Sequence, residues 1–204
     1  DWQARNHFRG TAAHNTPQID GEEINRFVRP EYLWVLRNDA VPEVRQWSTS
    51  EDTDLLVGAH SGYQRLKSPV TPVRTIMLDK TTNRLFIADT FESTAEHTVS
   101  IPYTFAPGVK IDPVSSGLWR ISNQTTSFFA ISSAPNTWSG AIESASYSPS
   151  YGVVEDVASL VFERTGILSP IAFSIIPEKN APEDPVNWLS TVVADRLPIL
   201  GFNA

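Results

Sequence analysis

The sequence contains no cysteine, so it can form neither disulfides nor thiolate metal sites. It has no apolar run near the roughly 18 residues that a membrane-spanning helix needs, which argues against a membrane partner. Residues 1–5 lack the apolar core of a signal peptide. Basic residues are also few: 16 Lys and Arg against 23 Asp and Glu give a formal net charge of -7. Because nucleic-acid binding depends on many cationic contacts, this balance argues against a nucleic-acid partner.

Several motifs of hydrolytic enzymes are missing as well. There is no Gly-x-Ser-x-Gly elbow, no phosphate-binding glycine loop and no His-Glu-x-x-His helix. The carboxylate pairs Glu22-Glu23 and Glu51-Asp52 lie in polar surroundings and are expected to be solvated, so nothing specific supports a two-carboxylate glycosidase. The chain begins with Asp rather than Met, and we therefore expect a processed product or a piece of a longer protein.

What the sequence does contain is a series of short strand-like segments. In residues 98–105 apolar and polar side chains alternate, and Pro102 indicates an edge or bulged strand because proline donates no ladder hydrogen bond. A polar loop between residues 73–78 and 84–88 predicts a hairpin. Further predicted strands are residues 118–122, 127–131, 159–164 and 171–176. With 10 Gly and 15 Pro as turn residues, the pattern predicts an all-β fold, an antiparallel multi-stranded β-sandwich, as a single domain over residues 1–204.

Helical signals are weak by comparison. Only residues 184–196 favour a helix, with Pro185 in its first turn. The β-branched run Thr191-Val192-Val193 favours a strand equally, so both alternatives stay open for this segment.

The most informative stretch is residues 5–21, which holds two of the four histidines and almost no acid. On a molecule with an acidic balance, this stretch predicts a site for an anion or a metal. His7 and His14 are seven residues apart, so in one regular strand they would face opposite sides and could not bind one ion together. His60 and His97 are expected to be hydrogen-bonded or surface imidazoles.

Two arginines in the same stretch have two alternative interpretations. Arg5 and Arg9 are four residues apart, so a strand would place both on one face, where they could grip a carboxylate or sulfate. Alternatively, they are an exposed pair that binds the nearby Glu22 or Glu23. Five tryptophans could stack on sugar rings, although most are expected in the core: Trp2, Trp34, Trp47, Trp119 and Trp138.

The order of motifs resembles that of a known family. The segment Phe8-Arg9-Gly10-Thr11-Ala12-Ala13-His14-Asn15-Thr16, followed by Ile19-Asp20-Gly21, resembles the Arg-Ser-Thr-x-Ala-His-Asn-Thr-Val-x-Val-Asp-Gly signature of the heparinase II/III-like polysaccharide lyases. Further similar elements follow: Ala59-His60-Ser61-Gly62-Tyr63, Val73-Arg74, Ile87-Ala88-Asp89, Phe105-Ala106-Pro107-Gly108 and Ser148-Pro149-Ser150-Tyr151-Gly152-Val153. The resemblance covers nearly the whole chain, and its His-Asn-Thr element is the most specific part.

The resemblance implies a function for a larger protein. In this family an N-terminal α/α toroid precedes a domain of stacked antiparallel sheets, and an acidic polysaccharide binds between them. The reaction is β-elimination at a uronic acid: a base removes the proton α to the carboxylate, and an acid protonates the departing glycosidic oxygen. The groups for these steps come largely from the toroid. We therefore expect this chain to be catalytically incomplete alone, and to be periplasmic or secreted.

The resemblance also implies site residues, a metal and partners. His14 matches a zinc ligand of metal-containing relatives, whose other ligands precede the signature and lie outside this chain; Arg9 and Asn15 are candidate substrate-binding residues. The sandwich is expected to lack its first strands, which would leave an unpaired sheet edge. The expected partners are an acidic polysaccharide and either the missing toroid portion or a second chain. The alternative is a non-catalytic carbohydrate-binding or structural β-sandwich module.

Overall fold

The computed structural model describes residues 2–32 and 34–196, and in this part of the chain twelve strands form two antiparallel sheets. The strands are β1 Gln18–Ile19, β2 Pro42–Thr49, β3 Thr53–His60, β4 Thr71–Asp79, β5 Arg84–Glu92, β6 Glu96–Thr104, β7 Lys110–Ser115, β8 Leu118–Ser122, β9 Ser127–Ser132, β10 Ser139–Tyr147, β11 Glu155–Ile167 and β12 Ile171–Pro177. The smaller sheet has the order β1-β6-β11-β10, and the larger one β2-β3-β4-β5-β12-β9-β8-β7. The predicted all-β sandwich is confirmed.

The core lies between the two sheets and is rich in aromatic rings. Tyr103 of β6 stacks on Phe173 of β12, with ring centroids 4.2 Å apart. Trp119 of β8 meets the ring of Phe162 of β11 edge-to-face at 5.5 Å. Both pairs join one sheet to the other, so aromatic packing holds the sandwich together across its middle.

The predicted strands and the hairpin are present in the structure. Strands β4 and β5 pair antiparallel from Thr71↔Glu92 to Asp79↔Arg84, and the turn between them contains Asn83 at a φ of 54°. The predicted strand over residues 98–105 corresponds to β6. Pro102 lies past the end of β1, which pairs only with Val99 and Ser100, so the described strands leave the outer side of β6 unpaired at Pro102. This position agrees with the expected edge character, because no ladder bond there requires an N–H.

Two helices and two 3₁₀ turns complete the described residues. Helix α1, Trp2–Arg9, corrects the strand assumed for the arginine pair, and no residue of this helix is buried. Helix α2, Pro185–Arg196, settles the open alternative for residues 184–196 in favour of a helix. Its Leu189 is fully buried against Ile131 and Ile176, on the face of the larger sheet opposite the sandwich core. The 3₁₀ turns are Thr11–Ala13 and Glu178–Asn180. None of the described helices is long and apolar enough to cross a membrane.

Among the described residues the sheet order leaves open edges at β2 and β7 of the larger sheet and at β10 of the smaller one. The expected loss of the first strands stays a prediction. All eight residues of β2 are exposed, and within residues 2–32 and 34–196 β10 pairs along its length with β11 alone. The outer edge of β6 is different, because its own chain covers it: β1 pairs with Ser100, and side chains of Asp20 and Asn15 accept bonds from Thr98 and Thr104. Association through an open edge stays a prediction for β2, β7 and β10.

Candidate functional site

The stretch that stood out in the sequence wraps against the edge of β6. Its turn over Thr11–Ala13 is fixed by Glu23, whose Oε2 accepts hydrogen bonds from the backbone N–H of Thr11 at 2.6 Å and from its hydroxyl at 2.7 Å. The Thr11 Oγ1 in turn accepts the N–H of Ile24 at 2.9 Å. Glu23 is therefore half-buried and structural, which corrects the expectation of a solvated carboxylate for Glu23, whereas Glu22 is exposed as expected.

The Ile19-Asp20-Gly21 element is a tight turn that locks this stretch to β6. Asp20 and Gly21 both have positive φ, 55° and 68°, and the N–H of Glu22 donates to the Ile19 carbonyl at 2.9 Å, as in a type I′ turn. The Asp20 carboxylate accepts the Thr98 N–H at 2.9 Å and contacts His97 Nδ1 at 2.8 Å. His97 is buried, which confirms its expected role as a hydrogen-bonded imidazole.

The His60–Tyr63 element also holds the fold together through buried side chains and hydrogen bonds. The ring of Tyr63 is fully buried, and its hydroxyl donates to the Pro17 carbonyl at 3.1 Å. Burial raises the pKa of this phenol well above its usual range, so it stays a neutral donor. A Cβ at Gly62 would come within 2.9 Å of the Ile24 carbonyl, so only glycine fits there without a shift. His60 Nδ1 accepts the Gly62 N–H at 3.2 Å, and burial lowers the pKa of the His60 imidazole.

His14 and Asn15 form an exposed two-residue segment, held by hydrogen bonds, directly after the 3₁₀ turn; we call this segment the step. The His14 N–H donates to the Thr11 carbonyl at 3.1 Å, and the His14 carbonyl accepts the Thr16 N–H at 2.7 Å. Oδ1 of Asn15 accepts the Thr104 N–H at 2.9 Å, and its Nδ2 lies 3.5 Å from the Thr104 carbonyl. The Asn15 side chain thus takes the place of a neighbouring strand at the end of β6. Its main-chain carbonyl accepts a bond from Arg74 Nη1.

An open cleft of about 590 Å³ lies beside this step. One wall comes from α1 and the 3₁₀ turn, the floor from the end of β6 and the residues after it, and the other wall from the end of β10. The lining residues are Phe8, Ala13, His14, Asn15, Thr104, Phe105, Ala106, Ser146, Tyr147 and Ser148. They include one imidazole, three aromatic rings besides it, several hydroxyl groups and no carboxylate. Two of the three predicted site residues, His14 and Asn15, therefore lie together in one cleft.

Arg9, the third predicted site residue, is not among the residues that line the cleft. Its guanidinium lies over the ring of Phe27, 4.4 Å from the ring centre, and burial together with the nearby Arg5 lowers its pKa. Arg5 donates to the carbonyls of Pro30 and Tyr32 at 3.1 and 3.2 Å. The two arginines share a face because residues four apart do so in a helix, not because they lie in a strand. Arg5 binds main-chain carbonyls rather than Glu22 or Glu23, which corrects the pairing considered from the sequence.

Of the zinc ligands that the resemblance implies, the described residues place one, His14, in the cleft. Within residues 2–32 and 34–196, no three His, Asp or Glu side chains come close enough together to hold an ion. His14 is exposed and lines the cleft, and the described residues donate or accept no hydrogen bond at its imidazole. A tight zinc site has about four ligands, which the described part of this chain does not supply. His7 is exposed on α1 and lies outside the lining.

Sequence reasoning missed the wall that β10 contributes. Tyr147 is 41% exposed and lines the cleft, and Tyr151 stands fully exposed in the turn that follows. The Ser148-to-Val153 element marked this turn, but alternation alone does not reveal that its hairpin faces residue 14. The tryptophans also differ from expectation: Trp119 and Trp138 are buried, whereas Trp2, Trp34 and Trp47 are exposed.

Comparisons with known proteins agree on one family. A family model described as "Heparinase II/III-like, C-terminal" matches residues 2–188. Among solved structures, the heparan sulfate lyase HepC from Pedobacter heparinus is similar with a TM-score of 0.69 and 14% identity, over 89% of this chain and 27% of that one. A heparinase III structure is similar with a TM-score of 0.68 and 16% identity, over 89% of this chain and 27% of that one. This chain thus spans about a quarter of either, and these likenesses show the fold. A search of curated proteins finds no match.

Proposed function

Because this chain belongs to the heparinase II/III-like C-terminal family, we propose that it is the β-sandwich part of a lyase that cleaves uronic-acid-containing polysaccharide by β-elimination. In this proposal the cleft beside His14 and Asn15 is one side of the polysaccharide site. The base and the acid of the elimination come largely from a partner portion, the toroid or a second chain, so the isolated chain is catalytically incomplete.

The observation that carries the proposal is the position of His14 and Asn15. They belong to the most specific part of the resemblance, and they lie on a fixed step that lines an open cleft. A structural histidine of this protein looks different: His97 is buried and held at both ring nitrogens, at 2.8 Å by Asp20 and at 3.2 Å by Ser93. His14 has fixed backbone on both sides and an exposed ring, which is the arrangement of a residue that meets a ligand.

The chemistry of the cleft suits an anionic sugar polymer. The protein as a whole is acidic, yet no carboxylate is among the described residues that line the cleft, so the lining itself places no negative charge opposite a uronate. Hydroxyl and amide groups such as those of Ser146, Ser148 and Asn15 offer hydrogen bonds to sugar hydroxyls. The ring of Tyr147 offers an apolar face with a polar end. Since one similar solved structure is named a heparan sulfate lyase and another a heparinase III, heparan-type chains are the first substrates to test.

Zinc is part of the proposal only as a shared site. His14 would be one ligand, and the remaining ligands would come from outside this chain, because no group of three candidate ligands exists among the described residues. A periplasmic or secreted location is part of the same proposal, because the expected substrate is an extracellular polysaccharide.

The test uses the protein expressed from its intact gene. Incubation with heparan-type or alginate-type chains is expected to generate the ultraviolet absorbance of the new carbon–carbon double bond. His14→Ala is expected to lower activity by at least about 10-fold, because loss of even the residues that support metal ligands costs about 10- to 100-fold in other enzymes. His7→Ala is the matched control, since His7 is an exposed histidine of the same stretch outside the cleft, and it should keep its activity. Full activity and full metal content in His14→Ala would refute the assigned role.

The alternative, a non-catalytic carbohydrate-binding module, makes a different prediction for the isolated chain. One side of a divided cleft is expected to bind an acidic oligosaccharide only weakly, in the millimolar range, because few contacts offset the cost of association. Micromolar binding by the isolated chain in calorimetry, without any lyase activity of the intact protein, would favour the binding module.

A further inference from the structure

The step formed by His14 and Asn15 is attached to both sheets of the sandwich. The Asn15 side chain binds Thr104 at the end of β6, in the smaller sheet. The Asn15 main-chain carbonyl accepts a hydrogen bond from Nη1 of Arg74, in β4 of the larger sheet. One residue therefore fixes the position of the cleft wall relative to both layers of the fold.

Arg74 is itself held by a buried carboxylate. Its Nε and Nη2 donate to the two oxygens of Asp89, each at 2.7 Å, and the Asp89 side chain is 1% exposed. Strands β4 and β5 place the two residues directly opposite each other. This fork uses two of the three guanidinium nitrogens and leaves Nη1 for Asn15. The orientation of that remaining nitrogen is set by Asp89 on one side and by the Tyr103 ring, 5.8 Å from the guanidinium carbon, on another.

Stability alone does not account for an ion pair at this place. Apolar side chains of similar volume often stabilise a core as well as a buried ion pair does, because burial costs both charges their hydration. A feature that apolar residues cannot provide is a fixed N–H directed at the carbonyl next to His14. The surroundings of Arg74 favour its charged, N–H-donating form. Although burial opposes the positive charge of the guanidinium, the Asp89 carboxylate more than compensates, and the pKa of Arg74 is raised above its usual value.

We infer that Arg74, held by the buried Asp89, is a positioning element, which sets the orientation of His14 and Asn15 in the cleft through the Asn15 carbonyl. The inference rests on the proposed function in so far as this orientation serves polysaccharide binding. Neither residue touches the cleft, so both act through Asn15. Arginine is required because a lysine ammonium can replace the charge opposite Asp89 but cannot also reach the Asn15 carbonyl from the same fork.

The test compares Arg74→Lys with the wild-type chain. The imidazole C–H signals of His14 are read by NMR and assigned through their loss in His14→Ala. Arg74→Lys is expected to shift or broaden the His14 signals and to weaken binding of a heparan-type oligosaccharide, followed by NMR titration, by about 3- to 10-fold. Arg164→Lys is the matched control, since Arg164 also donates to main-chain carbonyls, those of Thr137 and Ile167, but lies away from the cleft. It should change neither reading.

The outcomes separate this inference from the proposed function. Unchanged His14 signals in a folded Arg74→Lys chain would overturn the positioning role, even if the chain unfolded more easily. Should Arg74→Lys not fold, Asp89→Asn takes its place, because it keeps the shape of the carboxylate while weakening its hold on Arg74. The same shift of His14 is then expected, and its absence refutes the inference. If the His14 signals respond but Arg74→Lys, made in the protein expressed from its intact gene, binds and cleaves heparan-type chains as well as the wild type, the positioning role stands and its link to polysaccharide binding is overturned.

Discussion

Replacing Asp20 by alanine tests whether the Ile19-Asp20-Gly21 element is structural, in contrast to the His-Asn-Thr element beside it. The carboxylate of Asp20 bonds Nδ1 of buried His97 and the N–H of Thr98. Because a carboxylate only accepts, Nδ1 carries the proton, and Asp20→Ala leaves this N–H buried without an acceptor. Since His97 is 3% exposed, water does not readily replace the lost bond.

The magnitude follows from two contributions. An unsatisfied buried donor costs about 1–3 kcal/mol. The φ of 55° at residue 20 adds about 1 kcal/mol for alanine, since its Cβ is unfavourable in the left-handed region. The N–H of Thr98 is exposed and regains a bond from water, so it adds little. Asp20→Ala is therefore expected to lower the free energy of unfolding by about 2–4 kcal/mol, measured by urea denaturation.

Two further variants at the same position separate these contributions. Asp20→Gly also removes the carboxylate, but glycine adopts the left-handed backbone conformation without strain. It should therefore be about 1 kcal/mol more stable than Asp20→Ala. Asp20→Asn keeps an acceptor for Thr98 and tolerates the left-handed conformation, so it should lose least. A loss below about 0.5 kcal/mol in Asp20→Ala, or weaker sugar binding at unchanged stability, would contradict the structural assignment.

Two more predictions concern the fold. Gly140→Ala would place a Cβ 2.8 Å from ring carbons of Trp119 and should destabilise the chain by about 1–3 kcal/mol in urea denaturation, whereas Gly58→Ala, with its nearest neighbour 3.7 Å away, should be nearly neutral. The hydrogen bond from the Thr81 hydroxyl and the neighbouring turn N–H groups lower the pKa of Asp79 to about 2. Since the unfolded value is about 4, these bonds stabilise the fold above pH 4, and the contribution is lost as the pH falls towards 2. The stability difference between wild type and Asp79→Ala should shrink over that range, and a constant difference would contradict this.

Much of the fold was accessible from the sequence because a strand carries a local signal. Alternating side chains and a polar loop are enough to predict β4, β5 and β6. Helix α1 was missed for an equally local reason: it has only eight residues, of which Trp2, Ala4 and Phe8 are apolar, and these are too few to mark the helical period. Its Gln, Ala and Arg residues favour a helix, but in eight residues this preference is small.

The site was accessible only in part, because its walls meet through long-range contacts. The resemblance directed attention to His14 and Asn15, and both lie in the cleft. Arg9 was chosen by its closeness in sequence, but the helix and the ring of Phe27 turn its guanidinium to another neighbour. Tyr147 lies more than 130 residues further along the chain. Sheet pairing brings it to the cleft, and no local pattern encodes that pairing.

The contacts of Asn15 connect the cleft to the interior of the protein. Its partners Arg74 and Thr104 are 59 and 89 residues away and belong to different sheets, so the step carrying His14 can keep its place only while the two sheets keep their alignment. That alignment depends on the aromatic packing of Tyr103 against Phe173, and Tyr103 also lies under the Arg74 guanidinium. Because packed interiors transmit displacement with little compliance, a change in this core should alter the cleft as well as the stability. The geometry of the site is therefore a property of the whole sandwich, although the residues that face the ligand occupy one short stretch of sequence.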